Sequence, residues 1–286
     1  MRRRVWIAVA SLAALGLALV VLHEPLLGVR ELRGATPPAA PRTSAELESR
    51  WDAVLDGAVR DGVVDYGLLA RRRRLVAHFV GALASFGPTT APAAFRDRDA
   101  RLAYYINAYN ALVVFAVLER DVRRTVHEVR GWIEPVQGMG FFWAQRFVVD
   151  GESTNLHALE NDVLLAHFDD ARIHAAINCA SASCPRLAER AYHGATLEAE
   201  LEEAAARFAS APHVVVDDSR REIVLSAIYE WYAEDFEEHA ASLGLGASAL
   251  AWIAQHAPEP EAIDRARRDA YAVRYAPYDW SLNGRW

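Results

Sequence analysis

The sequence contains little cysteine and no excess of positive charge. Two cysteines occur among 286 residues, so any thiol chemistry is confined to the segment from Arg172 to Leu187 that holds both. The formal net charge of −7 excludes the basic face with which nucleic-acid-binding proteins release counterions from phosphates, so nucleic acid is not an expected partner. Basic runs such as Arg71 to Arg74 are short, and such a run is typical of the solvated side of a helix.

Long spacers and established metal-binding motifs are also missing. No long stretch rich in Pro, Gly or Ser interrupts residues 46–286, which predicts one globular domain there. The CxxxxC spacing of the two cysteines is not a standard zinc spacing, and no second CxxC or HExxH motif accompanies it. His157, Glu160, His174 and the cysteines are potential ligands, but we expect neither a metal nor a cofactor.

The N-terminus carries a long apolar run. After MRRR, the segment from Val5 to Leu22 has no charged residue. A membrane-spanning helix needs about 17 to 25 residues and a secretory core about 7 to 15, so the length favours an uncleaved anchor over a cleaved signal peptide. The positive-inside rule keeps the three arginines in the cytoplasm and predicts a domain in the periplasm or otherwise outside the cytoplasm. We expect an anchor or signal segment over residues 1–30, with the membrane as partner through residues 5–22, and a Pro-rich linker over residues 31–45.

The remaining pattern predicts an α+β domain that is predominantly helical. Residues 99–120 are apolar on nearly all sides, which is typical of a central buried helix. Asp150-Gly151 is a two-residue hairpin pattern after a short strand. Residues 214–216 and 223–225 flank a second polar turn. We therefore expect a single domain around the central helix with a small, mainly antiparallel sheet.

Three polar residues fall on positions that the pattern predicts to be buried. Asn107 and Asn110 stand three apart on one face of the central helix, and a buried amide without partners costs about 1 to 3 kcal/mol. They either tie the helix to neighbouring backbone or orient a substrate or catalytic group. Glu160 lies four residues from both Leu156 and Leu164, which directs its carboxylate toward the core. It either accepts hydrogen bonds from a structural partner or has a raised pKa for acid–base work.

The segment around the cysteines reads as a half-buried strand. Ile173, Ala175 and Ile177 alternate with His174 and Asn178. Strand parity places His174 and Asn178 on one face and Cys179 on the other, so a direct pair of His174 and Cys179 requires the chain to leave strand geometry near Asn178. The small residues from Ala180 to Ser183 allow a tight loop that returns Cys184 toward Cys179.

Four states of the cysteines are open at this point. A disulfide between Cys179 and Cys184 is favoured, because the predicted compartment is oxidising. The alternatives are a reactive Cys179 thiol, a metal site and two inert thiols. A reactive thiol needs His174 or His157 to lower its pKa, and Glu160 or an asparagine to orient that histidine.

Several separated motifs together resemble one family. They are, in chain order, INAYNA, Leu159-Glu160, RIHAAINCASASCP, LSAIYEWYAEDF and YDWSLN. In this order they resemble the domain of unknown function 547 (DUF547) family over most of residues 46–286. The resemblance implies no established general activity. The chain departs from the family pattern at Asn161, where His is typical, and at Leu165, where Arg is typical, so a mechanism that relies on either residue is not expected here.

Two functions follow from these observations. The favoured one is a membrane-tethered envelope module that binds an unidentified protein or polymer and carries a Cys179–Cys184 disulfide. The alternative is a thiol-dependent acyl-transfer enzyme or peptidase-like hydrolase with Cys179 as nucleophile. Its candidate site residues are Cys179, His174, Glu160, Asn107 and Asn110. The sequence leaves open whether the protein is an enzyme.

Overall fold

The computed structural model describes residues 26–286, and the predicted membrane helix and its cleavage state lie outside these residues. The described chain is a mixture of helices and short strands, about half of it helical. The helices before the cysteine segment are α1 (Ser44–Leu55), α2 (Tyr66–Arg71), α3 (Arg73–Ser85), α4 (Arg98–Glu119), α5 (Met139–Phe142), α6 (Leu156–Ala158) and α7 (Ala166–Phe168). Those that follow are α8 (Ile173–Ala176), α9 (Leu197–Phe208), α10 (Ile228–Trp231), α11 (Ala233–Ser242), α12 (Ala249–His256) and α13 (Pro260–Arg268).

Helix α4 is the predicted buried helix. Its apolar residues face neighbouring elements in every direction, and α1, α3 and α9 pack against it. The side chain of Asp97 caps its N-terminus by accepting a hydrogen bond from the backbone N–H of Ala100 at 2.7 Å. In residues 26–286 it is the one helix long and apolar enough to cross a membrane, and it is mostly buried inside the domain, as core helices are.

The strands form three small sheets within the described residues, and each sheet mixes the two strand directions. The strands are β1 (Arg30–Glu31), β2 (Val59–Arg60), β3 (Val63–Asp65), β4 (Gln145–Val149), β5 (Glu152–Thr154), β6 (Val214–Asp217), β7 (Glu222–Leu225), β8 (Ala272–Tyr275) and β9 (Gly284–Arg285). The antiparallel pairs are the local ones, β2–β3, β4–β5 and β6–β7. The parallel pairs β1–β4, β3–β9 and β7–β8 join distant segments. The expectation of one mainly antiparallel sheet was therefore wrong, because sequence patterns detect hairpins and not distant pairings.

The two predicted hairpins are confirmed. Asp150 and Gly151 join β4 to β5 with φ of 52° and 86°. Two-residue turns whose twist matches that of the flanking strands need a positive φ at both central positions. Asp followed by Gly adopts this geometry readily, which explains the pair found here. Strands β6 and β7 form the second hairpin.

Two segments differ from the sequence expectations. Residues 173–176 form the short helix α8, and only Ile177 after it is extended, so the predicted strand was wrong. The alternation of Ile173, Ala175 and Ile177 reflects burial on all sides and not strand pleating. Part of the predicted linker is also packed on the domain, since β1 pairs with β4 and Leu32 is buried in the core.

The core of the described chain consists of two hydrophobic clusters. The larger one surrounds α4 and includes Trp51, Phe79, Phe115, Phe141 and Phe147. The smaller one lies among α9, α11, α12, α13 and the sheet of β6, β7 and β8, and includes Phe208, Tyr229, Phe236 and Trp252. Helix α9 joins them, because Leu197 and Leu201 lie in the larger cluster and Phe208 lies in the smaller.

Candidate functional site

A cavity of about 190 Å³ opens where the two clusters meet. Tyr109 and Ile177 belong to the larger cluster, and Ile228, Tyr232 and Tyr278 belong to or pack against the smaller one. The wall combines aromatic rings with polar and ionisable side chains. The lining residues are Tyr109, Gln137, Phe142, Trp143, His157, Glu160, His174, Ile177, Cys179, Cys184, Pro185, Ile228, Trp231, Tyr232, Tyr278 and Trp280. Pockets with this character are the usual place for ligands and chemistry.

Cys179 is held in this cavity by the backbone that follows α8. The backbone N–H of Asn178 donates to Oδ1 of Asn110 at 2.8 Å, which fixes the chain as it leaves the helix. The Asn178 side chain donates to the carbonyl of Pro185 at 2.6 Å and accepts from the backbone N–H of Ala180 at 2.9 Å. Ala180 has a φ of 63°. These bonds close the cysteine loop and leave Cys179 half-buried at the cavity wall.

The sulfur of Cys179 lies among hydrogen-bond donors. Its Sγ is 3.1 Å from the hydroxyl of Tyr278. The neighbouring Cys184 thiol, followed by the Tyr278 hydroxyl, lowers the pKa of Cys179 against the opposing effect of burial. Burial and the adjacent Cys179 raise the pKa of Cys184. The thiolate therefore forms first on the half-buried sulfur of Cys179.

The two cysteines are close together as free thiols. The backbone N–H of Cys179 donates to Sγ of Cys184 at 2.9 Å, so the tight loop predicted from its small residues forms. No disulfide joins them in this structure, in contrast to the favoured expectation. The structure thus describes the reduced form, and oxidation of the pair stays a prediction.

His174 lies in the same cavity and is held by a carboxylate. Its Nε2 is 2.7 Å from Oδ2 of Asp235 on α11. The imidazole packs on Tyr232 at 4.2 Å and on Phe236 at 5.3 Å between ring centroids. The parity argument that separated His174 from Cys179 does not apply, because α8 replaces the strand and the backbone turns at Ile177. His174 and Cys179 both line this cavity, and an imidazole oriented by a carboxylate is one of the groups that can activate a thiol.

Glu160 reaches the cavity from a π-helical turn, Leu159–Leu165, between α6 and α7. Wider turns of this kind often occur at functional sites. Its carboxylate accepts hydrogen bonds from the hydroxyls of Tyr109 at 3.0 Å and Tyr232 at 2.7 Å. Burial, followed by the charge of Glu160, raises the pKa of both tyrosines, so they stay protonated as donors. The sequence predicted that a structural partner could donate hydrogen bonds to this carboxylate. In the structure the donors are the hydroxyls of two tyrosines.

The two asparagines of α4 have different surroundings. Asn110 binds the carbonyl of Ala176 at 2.9 Å and the N–H of Asn178, on either side of the turn that leads to Cys179. Asn107 makes an equivalent pair of bonds to the backbone of Tyr192 at 2.7 and 2.9 Å, and neither asparagine lines the cavity. Both amides tie the helix to backbone, and Asn110 also positions the cysteine loop.

Several residues that line the cavity, and Asp235, which binds His174, were missed from the sequence. Asp235, Tyr232 and Trp231 lie in LSAIYEWYAEDF, whose aromatic residues were interpreted as core. Tyr278 and Trp280 lie in the C-terminal segment, which was expected to be an ordered tail. Both segments were part of the family resemblance, and that was the available indication of their role. His157 also lines the cavity, where its ring stacks on Trp143 at 4.3 Å. No group of three or more His, Cys, Asp or Glu residues arranged for a metal occurs in residues 26–286.

Fold and site together define an α+β domain with an aromatic thiol cavity between two hydrophobic clusters. Residues 93–209 match the model of a family described as "Protein of unknown function, DUF547", which confirms the resemblance over that segment. The matched range contains Asn110, Glu160, His174 and Cys179, whereas Asp235 and Tyr278 come from outside it. No curated protein and no solved structure matches the chain.

Proposed function

We propose that this domain is a thiol enzyme that transfers or hydrolyses acyl groups, with Cys179 as nucleophile. The observation that carries the proposal is a half-buried sulfur with a lowered pKa in a cavity that is also lined by an Asp-paired imidazole. A lowered thiol pKa raises the fraction of the nucleophilic thiolate near neutral pH. His174 is the proposed acid–base group, and Asp235 is the residue that orients it.

The proposed reaction has two balanced steps. In the first, the Cys179 thiolate attacks the acyl carbonyl, a C–S bond forms, and the bond to the leaving group breaks as His174 donates a proton to that group. In the second, water or an amine gives a proton to His174 and attacks the thioester. The C–S bond then breaks and the thiolate is restored.

Glu160 completes the cavity as a positioning residue in this proposal. Tyr232 connects it to the imidazole, because its hydroxyl donates to Glu160 and its ring packs on His174. Without the carboxylate, Tyr232 would lose its hydrogen bond, and its ring would no longer be held against the imidazole of His174. We infer that Glu160 keeps His174 in a single orientation.

We further propose that the domain is tethered to a membrane by residues 5–22 and lies in the periplasm or otherwise outside the cytoplasm. The length of the uncharged run and the three arginines before it support this arrangement. Protease added to spheroplasts, whose cytoplasmic membrane is intact, should cut the domain and leave cytoplasmic proteins uncut. A domain that is cut only after the cytoplasmic membrane is lysed, or a freely soluble protein, would contradict the proposal.

The thiol proposal is tested by alkylation and ester turnover. The full chain, purified in detergent with and without reductant, is treated with iodoacetamide at neutral pH, and each cysteine is followed by mass spectrometry. We expect rapid labelling of Cys179, slow labelling of Cys184, and a burst of nitrophenol from p-nitrophenyl acetate. Cys179→Ser should abolish the burst, and Cys184→Ser is the matched control that keeps a hydrogen-bond donor beside Cys179.

A second candidate is the non-catalytic envelope module that binds a protein or polymer. The aromatic wall favours it, because Trp231 stacks with Trp280 at 6.0 Å and Tyr278 packs against both rings. Aromatic surfaces of this kind bind ligands without any chemistry. Labelling of both cysteines only after reduction, with no ester burst from the reduced protein, would favour this module over the enzyme.

A further inference from the structure

The loop that precedes α5 exposes three large apolar side chains. Trp132 is 80% exposed, Ile133 53% and Val136 57%. Exposed apolar residues are ordinary when scattered, but a cluster within five positions of one loop marks an interaction surface. None of the three lines the thiol cavity.

The loop is attached to the first described residues of the chain. The backbone N–H of Ile133 donates to the carbonyl of Leu26 at 2.9 Å. Gly131 and Gly28 are in direct backbone contact, since a Cβ on Gly131 would lie 2.4 Å from the backbone nitrogen of Gly28. The uncharged run ends at Leu22, four positions before Leu26. The exposed side chains therefore lie beside the place where the apolar segment joins the domain.

The charges around the loop fit a membrane surface. Arg130 and Arg30 are exposed and lie within two positions of Gly131 and Gly28 respectively, and basic side chains next to a membrane are attracted to anionic lipid headgroups. The loop contains one acidic residue, Glu134, whose carboxylate accepts from the backbone N–H of Gly140 at 3.3 Å and so is held toward the domain.

We propose that Trp132, Ile133 and Val136 insert into the interfacial layer of the membrane that residues 5–22 enter. Tryptophan is enriched at this depth because its ring is amphipathic. The inference rests on the proposed tether. A bilayer is the occupant that fits, because the loop adjoins a run long enough to span one. Gln137, the next residue, lines the thiol cavity, so the membrane surface lies at one edge of the site.

The test uses the full chain, with its eight tryptophans replaced by 5-fluorotryptophan, in vesicles of phosphatidylcholine and phosphatidylglycerol. Fluorine NMR resonances are assigned by single Trp→Phe replacements. A nitroxide carried on a lipid chain and a water-soluble nitroxide are added in separate experiments. We expect the lipid nitroxide to broaden Trp6 and Trp132. We expect the water-soluble one to leave Trp132 sharp and to broaden Trp231, which is 50% exposed.

Trp6, inside the apolar run, separates the two proposals. If the lipid nitroxide broadens Trp6 but the water-soluble reagent broadens Trp132, the tether stands and the loop insertion is wrong. If neither tryptophan responds to the lipid nitroxide, the tether fails and the loop proposal fails with it. Protection of Trp132 from both reagents would mean that protein, either the chain itself or a second copy, covers the loop, which also overturns the proposal.

Discussion

A sulfur that accepts hydrogen bonds carries a negative charge more easily than one in a purely apolar environment. At Cys179 the donors come from Cys184 and from Tyr278, and the second of these lies 99 residues further along the chain. Burial raises the pKa of Cys179, and the hydrogen bonds from Cys184 and Tyr278 lower it by more. The pKa of the buried Cys184 is raised, so the two thiols differ in pKa because of their surroundings and not because of residue type.

Removing the hydroxyl of Tyr278 should make Cys179 less reactive. Tyr278→Phe deletes a donor to the thiolate, and hydrogen bonds to charged groups contribute about 1.5 to 3 kcal/mol. We expect the pKa of Cys179 to rise by about one unit or more and its alkylation at neutral pH to slow. The measurement is the rate of iodoacetamide labelling against pH.

The matched control is Tyr275→Phe, the same change at an exposed tyrosine three positions earlier. It should leave the pH profile of Cys179 unchanged. If Tyr278→Phe also leaves that profile unchanged, the phenol does not stabilise the thiolate, and Cys184 and Ser181 are the groups that lower the pKa of Cys179.

At the scale of single elements, α4 carries the cysteine loop. Asn107 and Asn110 are equally buried on this helix, and each makes two bonds to backbone. From the sequence they were equivalent, because both satisfy the same rule that buried amides need partners. Their difference lies in what they hold, Tyr192 for Asn107 and the turn before Cys179 for Asn110.

Asn110→Ala should lower both stability and thiol reactivity. Loss of the amide leaves a buried N–H and a buried carbonyl without partners, at a cost of about 2 to 6 kcal/mol. The released turn no longer holds Cys179 against Tyr278, so its alkylation should slow even where the protein is fully folded. Urea unfolding followed by circular dichroism measures the first effect, and labelling at low urea measures the second.

Asn107→Ala controls for the general effect of the substitution. It should cost a similar free energy of unfolding and leave the labelling rate of Cys179 as it is in the unchanged protein. Equal slowing in the two variants would mean that Asn110 has no specific effect on the cysteine loop.

The element predictions from sequence succeeded where the pattern was local. The central helix and both hairpins follow from apolar periodicity and from Asp150-Gly151, since these depend on neighbours in the chain. The strand predicted for residues 173–178 failed, because a fully buried segment has no polar face to distinguish helix from strand. The π-helical turn under Glu160 was not predicted either, since nothing in the residues distinguishes it from an ordinary helix.

At the scale of the whole molecule, the site depends on two clusters packing together. Tyr109 and Ile177 of the larger cluster line the cavity beside Cys179, and Tyr232 and Tyr278, which pack against the smaller cluster, line it too. The pairs that make the site are far apart in sequence, 61 residues for His174 and Asp235. Either cluster alone would leave the thiol without its partners.

The stability of the whole domain should fall in mild acid because of His213. Its imidazole is buried against Phe208 at 4.8 Å, and burial, followed by the charge of Arg186, lowers its pKa to about 4. The folded protein therefore binds fewer protons than the unfolded chain between about pH 6.5 and pH 4, and the free energy of unfolding decreases as the pH falls through this range. One pKa unit corresponds to about 1.4 kcal/mol, so the loss from this residue is about 3 kcal/mol.

Urea unfolding at pH 7 and at pH 4.5 measures this effect. His213→Gln should reduce the difference between the two pH values, whereas His167→Gln, at an exposed position, controls for the loss of an imidazole. An unchanged pH dependence in His213→Gln would assign the acid sensitivity to other groups.

The class of fold, the main helix, the hairpins and the short segment that holds any thiol chemistry could all be predicted from the order of the residues. These follow from periodicity, turn residues and the scarcity of cysteine, which are properties of neighbouring positions. Packing in three dimensions establishes which side chains meet the sulfur, that neither Asn107 nor Asn110 lines the cavity, and that Asp235 and Tyr278 contribute to the site. Hydrogen bonding and burial act between surfaces brought together by packing, and the order of residues along the chain does not specify which surfaces meet.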